Sequence, residues 1–253
     1  MALQNKKSLG QHWLKNREIL DEIARLTKTT AGEATSFCLE IGPGLGTLTA
    51  ALFRQFDEVM AVEFDEKLAN NLPGSFPGKN LKVVNADILK FDFDVLPQSY
   101  AIAGNIPYYI TGPIIERVLT VQNLPKSIVL LIQKEVAERI VSDKETVLSL
   151  KCKNLADVRL GPVVKAAEFT PPPKVDSQII VMVPHAPVVE SEVMELIKRG
   201  FKAPRKKLIH NLAGMASKEK ISEILQECGL SDSARPGDLH LEDWQAIYQK
   251  ISN

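Results

Sequence analysis

The segment Asn105-Ile106-Pro107-Tyr108 combines a side-chain amide, a rigid turn residue and an aromatic ring within four positions. The oxygen of Asn105 and a backbone carbonyl of Ile106 or Pro107 could accept the two N–H groups of an exocyclic amine on a nucleobase. Pro107 fixes the turn, and the Tyr108 ring offers a stacking face worth about 1–3 kcal/mol to a base. The segment therefore predicts chemistry at a base amine, in which positioning replaces a general base. Alone, it would also fit a structural turn, or either adenine or cytosine in DNA or RNA.

A glycine-rich turn and two acidic residues indicate where a second ligand would bind. The predicted strand that contains Glu40 is followed by the turn Gly42-Pro43-Gly44-Leu45-Gly46, which lets the backbone approach a ligand. Thr47 stands where a dinucleotide-binding fingerprint needs its third glycine, and this disfavours a pyrophosphate site. Glu63 and Asp87 come at the ends of the next two predicted strands, where carboxylates could bind ribose hydroxyls and an adenine amine. The pattern favours a nucleoside ligand, with a tight structural turn and surface acids as the alternative.

The elements that must position these residues follow from hydrophobic patterning. Short apolar runs alternate with helical spacing, which predicts a mostly parallel sheet with helices on both faces. The predicted strands span residues 37–41, 59–63, 81–84, 100–103, 127–132 and 178–183, the last in a terminal antiparallel pair. After Pro184-His185-Ala186-Pro187 only helical spacing remains, including one predicted face of Leu208, Leu212 and Met215. We expect an α/β catalytic domain over residues 1–187 and a small all-helical domain over residues 188–253.

Composition and charge exclude several classes of protein. The 253 residues are 45% hydrophobic and 25% charged, as in ordinary globular proteins, and no apolar run is long enough to span a bilayer. The three cysteines lie far apart and the four histidines lack ligand spacing, so we predict neither a disulfide framework nor a metal site. We expect a cytoplasmic monomer without a signal peptide.

A basic stripe in the second predicted domain suggests a phosphate-bearing partner. The net charge of the chain is zero. Residues 198–207 nevertheless contain six basic side chains and no acidic one: Lys198, Arg199, Lys202, Arg205, Lys206 and Lys207. A local stripe can attract nucleic-acid phosphates although the whole chain is neutral. The alternative is an ordinary solvated helix face.

The glycine turn and the strand-end acids resemble the Rossmann-like class I methyltransferases that bind S-adenosylmethionine. The resemblance implies that Glu40 and Gly42, with Gly44 in the same turn, lie near the amino-acid part of the cofactor. It also implies that Glu63 binds the ribose and Asp87 the adenine. An acidic rim suits a cationic sulfonium electrostatically.

The segment Asn105–Tyr108 resembles the N-[IL]-P-[YF] motif of amino-methyltransferases that act on nucleic-acid bases. A base inside a duplex cannot reach such a pocket, so the target must be unpaired and clamped between aromatic faces. Tyr108 would be one face. Phe169 is a candidate for the other, with a core aromatic before a proline-rich linker as the alternative.

Seven segments in order resemble the ribosomal RNA adenine N6,N6-dimethyltransferases. They are Lys6–Leu14, Glu40–Gly46, Asn105–Tyr108, Gln133–Val136, Phe169–Ser177, Phe201–Leu212 and Arg235–Asp243. The resemblance implies dimethylation of two adjacent adenines in a hairpin loop near the 3′ end of small-subunit ribosomal RNA, in an immature small subunit. It adds Gln11, His12, Leu14 and Asn105 to the cofactor contacts, and it assigns the basic stripe to rRNA phosphates.

Two alternatives and one departure accompany this interpretation. The macrolide-resistance enzymes, which methylate large-subunit RNA, share the catalytic core, but Pro204–Leu208 and Arg235-Pro236 look more like the small-subunit group. A non-catalytic ribosome-assembly factor is the second alternative, and the retained Asn105 argues against it. Where the family often has Tyr-Gly-Arg-Leu-Ser, this chain has Glu145-Thr146-Val147-Leu148-Ser149, which we interpret as a change in a loop that shapes substrate entry.

Overall fold

The computed structural model describes residues 11–252, so the Lys6–Gly10 part of the N-terminal motif lies outside the described residues. The chain divides into two units. The first runs to Glu138 and resumes over Asp157–Pro184, and the second comprises Arg139–Ala156 and the chain from His185 onward. This differs from the expected division after residue 187, because residues 139–156 group with the C-terminal helices. The buried Leu150 joins the helical core of the second unit, a contact that local patterning does not reveal.

The first unit is built on a seven-stranded sheet. Its strands are β2 (Phe37–Ile41), β3 (Glu58–Glu63), β4 (Asn80–Asn85), β5 (Tyr100–Asn105), β6 (Ser127–Gln133), β7 (Ala156–Val164) and β9 (Ser177–Pro184). Their order in the sheet is β4-β3-β2-β5-β6-β9-β7. Strands β2 to β6 pair in parallel, and β9 runs antiparallel to β6. The predicted α/β fold is confirmed, including the late antiparallel strand, whereas β7 was not predicted.

Parallel pairing brings the carboxyl ends of the central strands to one edge of the sheet. In the register, Glu40 of β2 lies beside Ala61 of β3 and Ala103 of β5. All five residues of β2 are buried, as expected for a strand covered on both faces. Residues that follow these strands must therefore meet at the same edge.

Helices cover the faces of this sheet. They are α1 (Arg17–Ala31), α2 (Thr47–Leu52), α3 (Glu66–Asn71), α4 (Thr111–Leu119) and α5 (Lys134–Val141), of which α5 continues into the second unit. Asn16 caps α1, since its side-chain oxygen accepts the N–H groups of Glu18 and Ile19. The apolar face of α1, with Leu20 and Ile23, joins the same core as Val129 of β6.

A separate two-stranded sheet joins the N-terminal segment to the proline-rich linker. Strand β1 (Trp13–Leu14) pairs antiparallel with β8 (Phe169–Thr170), so that Leu14 lies opposite Phe169. Both side chains are buried in the core of the first unit. Two-residue strands have no periodicity, which explains why the sequence does not predict this sheet.

The second unit is helical and has its own core around the fully buried Trp244. Its helices are α6 (Val147–Leu155), α7 (Ser191–Gly200), α8 (Leu208–Asn211), α9 (Lys218–Glu227) and α10 (Leu241–Ser252). The predicted face of Leu208, Leu212 and Met215 is wrong in part, because α8 ends at Asn211 and Met215 is 37% exposed. Within residues 11–252, no helix is both long and apolar enough to cross a membrane.

Candidate active site

The turn after β2 requires glycine. Gly44 has φ +56° and Gly46 has φ +80°, both in the left-handed region that other residues rarely adopt. A Cβ at Gly46 would lie 2.7 Å from Cδ1 of Leu72, so even a small side chain would clash there. The turn then leads into α2, and its backbone is left close to the carboxyl edge of the sheet.

Glu63 is held in place by the backbone of this turn. At the end of β3 its carboxylate accepts the N–H of Gly44 at 3.1 Å and the N–H of Asp65 at 2.8 Å. Burial raises the pKa of Glu63, and these two hydrogen bonds oppose that rise. A carboxylate has about four lone-pair positions, so each oxygen keeps capacity for a further donor such as a ribose hydroxyl.

Glu40 lies deeper, with 1% of its surface exposed. Its Oε2 accepts the hydroxyl of Thr49 at 2.6 Å. Burial raises the pKa of Glu40 to about 8, so the carboxyl is largely protonated at neutral pH. A cationic group brought against Glu40 would favour its ionised form.

Asp87 follows β4 and forms the third acidic element. Its Oδ1 accepts the N–H of Leu89 at 3.0 Å, which fixes the carboxylate as an Asx turn. Among the described residues, no hydrogen bond occupies its Oδ2. That atom can therefore accept an amine N–H from a ligand.

One cavity of about 300 Å³ joins these groups, and it falls at the lower end of the range for small-molecule sites. It is lined by all the predicted cofactor contacts: Gln11, His12, Leu14, Glu40, Gly42, Gly44, Glu63, Asp87 and Asn105. Pro107 and Tyr108 line the same cavity. The site therefore offers carboxylates for hydroxyls, amines and positive charge, as a nucleoside sulfonium requires.

The segment Asn105–Tyr108 lies at the end of β5, next to the N-terminal segment. The side-chain nitrogen of Asn105 donates to the backbone carbonyl of His12 at 3.0 Å. This bond fixes the amide orientation, and no hydrogen bond among the described residues uses the Oδ1 of Asn105. Pro107 has φ −61° and begins a short 3-10 turn, in which its carbonyl accepts the N–H of Ile110 at 3.3 Å. The carbonyl of Ile106 is consequently the better acceptor for a second amine N–H.

The Tyr108 ring is held from two sides. The rings of His12 and Tyr108 are stacked, with centroids 5.9 Å apart and planes inclined by 19°. The Tyr108 hydroxyl lies 2.6 Å from Oγ of Ser177. Ser177 ends the Phe169–Ser177 segment, and the sequence alone predicts no role for it. Consecutive residues of β9 from Ser177 to Met182 are all buried, so no alternation pattern in the sequence distinguishes Ser177.

The structure does not bring Phe169 to the cavity. Its side chain is 3% exposed and packs in the core with Leu14 and Leu20, because pairing between β8 and β1 turns it inward. The expectation of a second aromatic face at Phe169 is therefore not met by this arrangement. Phe64, which the sequence analysis does not single out, is 64% exposed and lines the cavity. The sequence feature that could have indicated Phe64 is its position directly after Glu63, the acidic residue that ends β3.

The basic stripe spans the end of α7 and the turn that follows it. Lys198 is on α7 and pairs with Glu195 at 2.6 Å, and Arg199 is half-buried. The other four lie exposed between α7 and α8: Lys202, Arg205, Lys206 and Lys207. Asn211 holds this turn, since its side-chain nitrogen donates to the carbonyls of Gly200 at 2.6 Å and Ala203 at 3.0 Å. Pro204 lies in the segment between α7 and α8, where a proline disfavours a continuous helix.

The residues that depart from the family's pattern, Glu145–Ser149, belong to the second unit. Thr146 and Ser149 form a capping box at the start of α6, and Glu145 is buried within the same unit. Within residues 11–252, no group of three or more His, Cys, Asp or Glu side chains could hold a metal ion.

Solved structures of related proteins first define the class of protein. A dimethyladenosine transferase from Plasmodium falciparum superposes with a TM-score of 0.80 at 25% identity, covering 95% of this chain and 98% of that chain. The 23S rRNA methyltransferase ErmE gives a TM-score of 0.76 at 25% identity, covering 95% of this chain and all of that chain. The fold and the cavity are thus those of a Rossmann-like methyltransferase.

The chain belongs to the ribosomal RNA adenine dimethylase family, whose sequence model matches residues 2–253. Among its relatives, a ribosomal RNA small subunit methyltransferase A from Nostoc sp. is 35% identical over 260 residues, covering 94% of this chain and 95% of the relative. A protein of the same description from Synechocystis sp. is 35% identical over 270 residues, with 96% and 95% covered. The chain is accordingly a methyltransferase of ribosomal RNA, and its cofactor is S-adenosylmethionine.

Proposed function

We propose that this enzyme dimethylates N6 of two adjacent adenines in the hairpin loop near the 3′ end of small-subunit ribosomal RNA. The observation that carries the proposal is the Asn105 amide, which the backbone of His12 holds with its oxygen free for a base amine. Single-stranded loops are where RNA offers unstacked bases to such a pocket.

S-adenosylmethionine, when bound, supplies the methyl group, and the residues of this chain do the positioning. Glu63 would hold the ribose, Asp87 the adenine, and Glu40 the positively charged amino-acid part of the cofactor. Asn105 Oδ1 and the Ile106 carbonyl would accept the two N–H groups of the target adenine. This favours a pyramidal nitrogen whose lone pair is directed at the methyl group. The base would stack on Tyr108, and the amine would lose its proton to water after transfer.

The second unit would bind the RNA through phosphates. Lys202, Arg205 and Lys206 are exposed, and no ion pair among the described residues uses them. Contacts of this kind position an RNA without reading its sequence. We further propose that the immature small subunit is the partner, that the enzyme acts in the cytoplasm, and that it acts as a monomer.

The test is transfer of labelled methyl groups to purified, unmethylated small and large ribosomal subunits, followed by mapping of modified bases. We expect label on two adjacent adenines of the small subunit. Label confined to large-subunit RNA would favour the macrolide-resistance alternative, for which the likeness to ErmE is the supporting observation. Absence of label on either subunit would favour the non-catalytic assembly factor.

The catalytic assignment is tested by Asn105→Ala. Transfer should be lost, while S-adenosylmethionine binding measured by calorimetry should largely survive, because Glu63 and Asp87 remain. Full activity of this variant would refute the role of the amide.

A further inference from the structure

Tyr108 is a candidate stacking platform whose ring is fixed by two neighbours. Its hydroxyl meets Ser177 Oγ at 2.6 Å, and one face of its ring lies against His12. We propose that Ser177 is a positioning residue for methyl transfer, which holds the Tyr108 hydroxyl so that the ring face opposite His12 receives the target base. The inference rests on the proposed function, because it assumes that a base stacks on Tyr108.

Ser177 is placed rigidly enough for this role. It is the first residue of β9, its side chain is fully buried, and its backbone is in register with Gln133 of β6. Strand pairing fixes the backbone of Ser177, and close packing around the buried side chain restricts rotation of its hydroxyl. Tyr108 is its only side-chain hydrogen-bond partner among the described residues.

The geometry limits how a base can approach. The His12 ring stacks on Tyr108 with an offset, its centroid 5.9 Å away, and shields part of one face. A base on the opposite face gives the order His12, Tyr108, base. Asn105, whose amide is fixed by the backbone of the same His12, then meets the edge of that base. His12, the residue before β1, thus influences both the face of Tyr108 on which the base stacks and the position of the amide that meets the edge of the base.

The bond between Tyr108 and Ser177 persists over the working pH range. Burial raises the pKa of Tyr108, so its phenol stays protonated and can donate. Loss of the bond would free the ring to rotate about its side-chain torsions. Since a misplacement of about 1 Å can reduce a rate about 100-fold, we expect kcat to fall by about tenfold with little change in cofactor affinity.

A double-mutant cycle tests the proposal with Ser177→Ala, Tyr108→Phe and the combined variant. Each single change removes the same hydrogen bond, so kcat should fall to a similar extent in both. The combined variant should be no slower than Tyr108→Phe alone. Multiplying effects would overturn the proposal, as would full activity in either single variant.

Ser127→Ala is the matched control. Ser127 is also fully buried at the start of a strand of the same sheet, where it donates to the carbonyl of Thr27 at 2.9 Å. It does not line the cavity. The kcat of Ser127→Ala should equal that of the wild-type enzyme. If its kcat fell as far as that of Ser177→Ala, both serines would act only through stability, and the proposal would be overturned.

A second readout does not depend on activity. With ¹³C-labelled tyrosine, the Tyr108 ring signal is the one that Tyr108→Phe removes. Ser177→Ala should shift it, since the ring moves relative to His12, and Ser127→Ala should not. An unchanged Tyr108 signal in Ser177→Ala would refute the positioning role, whatever the activity of the wild-type enzyme. Absence of methyl transfer by the wild-type enzyme would refute only the proposed function. If Ser177→Ala does not fold, full activity of Tyr108→Phe still overturns the proposal.

Discussion

Replacing Glu145 by alanine should destabilise the second unit by about 2–3 kcal/mol. The Glu145 side chain is fully buried, and its Oε1 lies 2.6 Å from Nζ of Lys153 and 3.2 Å from Nδ1 of His240. Its Oε2 accepts the hydroxyl of Ser149 at 2.6 Å, and its backbone N–H donates to Gly237. One carboxylate therefore joins the start of α6 to the segment that leads into α10.

The magnitude follows from burial. Removing one partner of a buried ion pair costs about 3–5 kcal/mol, because the other partner is left uncompensated. Lys153 is 31% exposed, so water solvates part of the orphaned ammonium and lowers that figure. Glu195→Ala is the matched control, since Glu195 meets Lys198 at the same 2.6 Å with both side chains exposed. Its cost should be at most about 0.5 kcal/mol.

Urea unfolding followed by tryptophan fluorescence can measure this difference. Trp13 and Trp244 are the two tryptophans, and Trp244 is buried in the second unit. A Trp13→Phe background therefore reports that unit alone. The midpoint should fall by about 1 M urea for Glu145→Ala and remain almost unchanged for Glu195→Ala. Equal, small shifts for both variants would refute the argument from burial.

Two further predictions concern the acidic site and the basic turn. The folded pKa of Glu40, about 8, exceeds its ordinary 4.5, so its contribution to stability is complete below about pH 4.5 and is lost as the pH rises toward 8. Glu40→Gln should flatten that decline in the free energy of unfolding, and parallel profiles for the two proteins would contradict the assignment. Neutralising Lys202, Arg205 and Lys206 should lower RNA affinity and reduce the salt slope by roughly 0.7–0.9 per lost phosphate contact. An unchanged slope would mean that the turn is only a solvated surface.

Much of the sheet and of the cofactor site could be predicted from the sequence. Buried parallel strands read as short apolar runs, and their carboxyl ends must share an edge, so the meeting of Glu40, Glu63 and Asp87 follows from topology. Asn105 reaches the same edge for the same reason. Predicting that these four residues meet required only local sequence patterns and the rule that the carboxyl ends of parallel strands share one edge of the sheet.

The remainder depends on contacts between distant segments. Phe169 points into the core because a two-residue strand pairs with β1, and Ser177 reaches Tyr108 across 69 positions of the chain. Residues 139–156 group with the helical unit through the packing of Leu150 and the bonds of Glu145. No local periodicity encodes such contacts, which arise only when the chain is packed.

The orientation of Asn105 depends on a carbonyl of the main chain at His12 rather than on a neighbouring side chain. Every amino acid carries that carbonyl, so substitution at position 12 changes the ring beside Tyr108 but leaves the acceptor in place. Substitution of His12 can therefore alter how a base stacks on Tyr108 without changing the orientation of the Asn105 amide. A descendant of this enzyme that has lost the reaction should accordingly carry a substitution of Asn105 itself, or changes that displace β1.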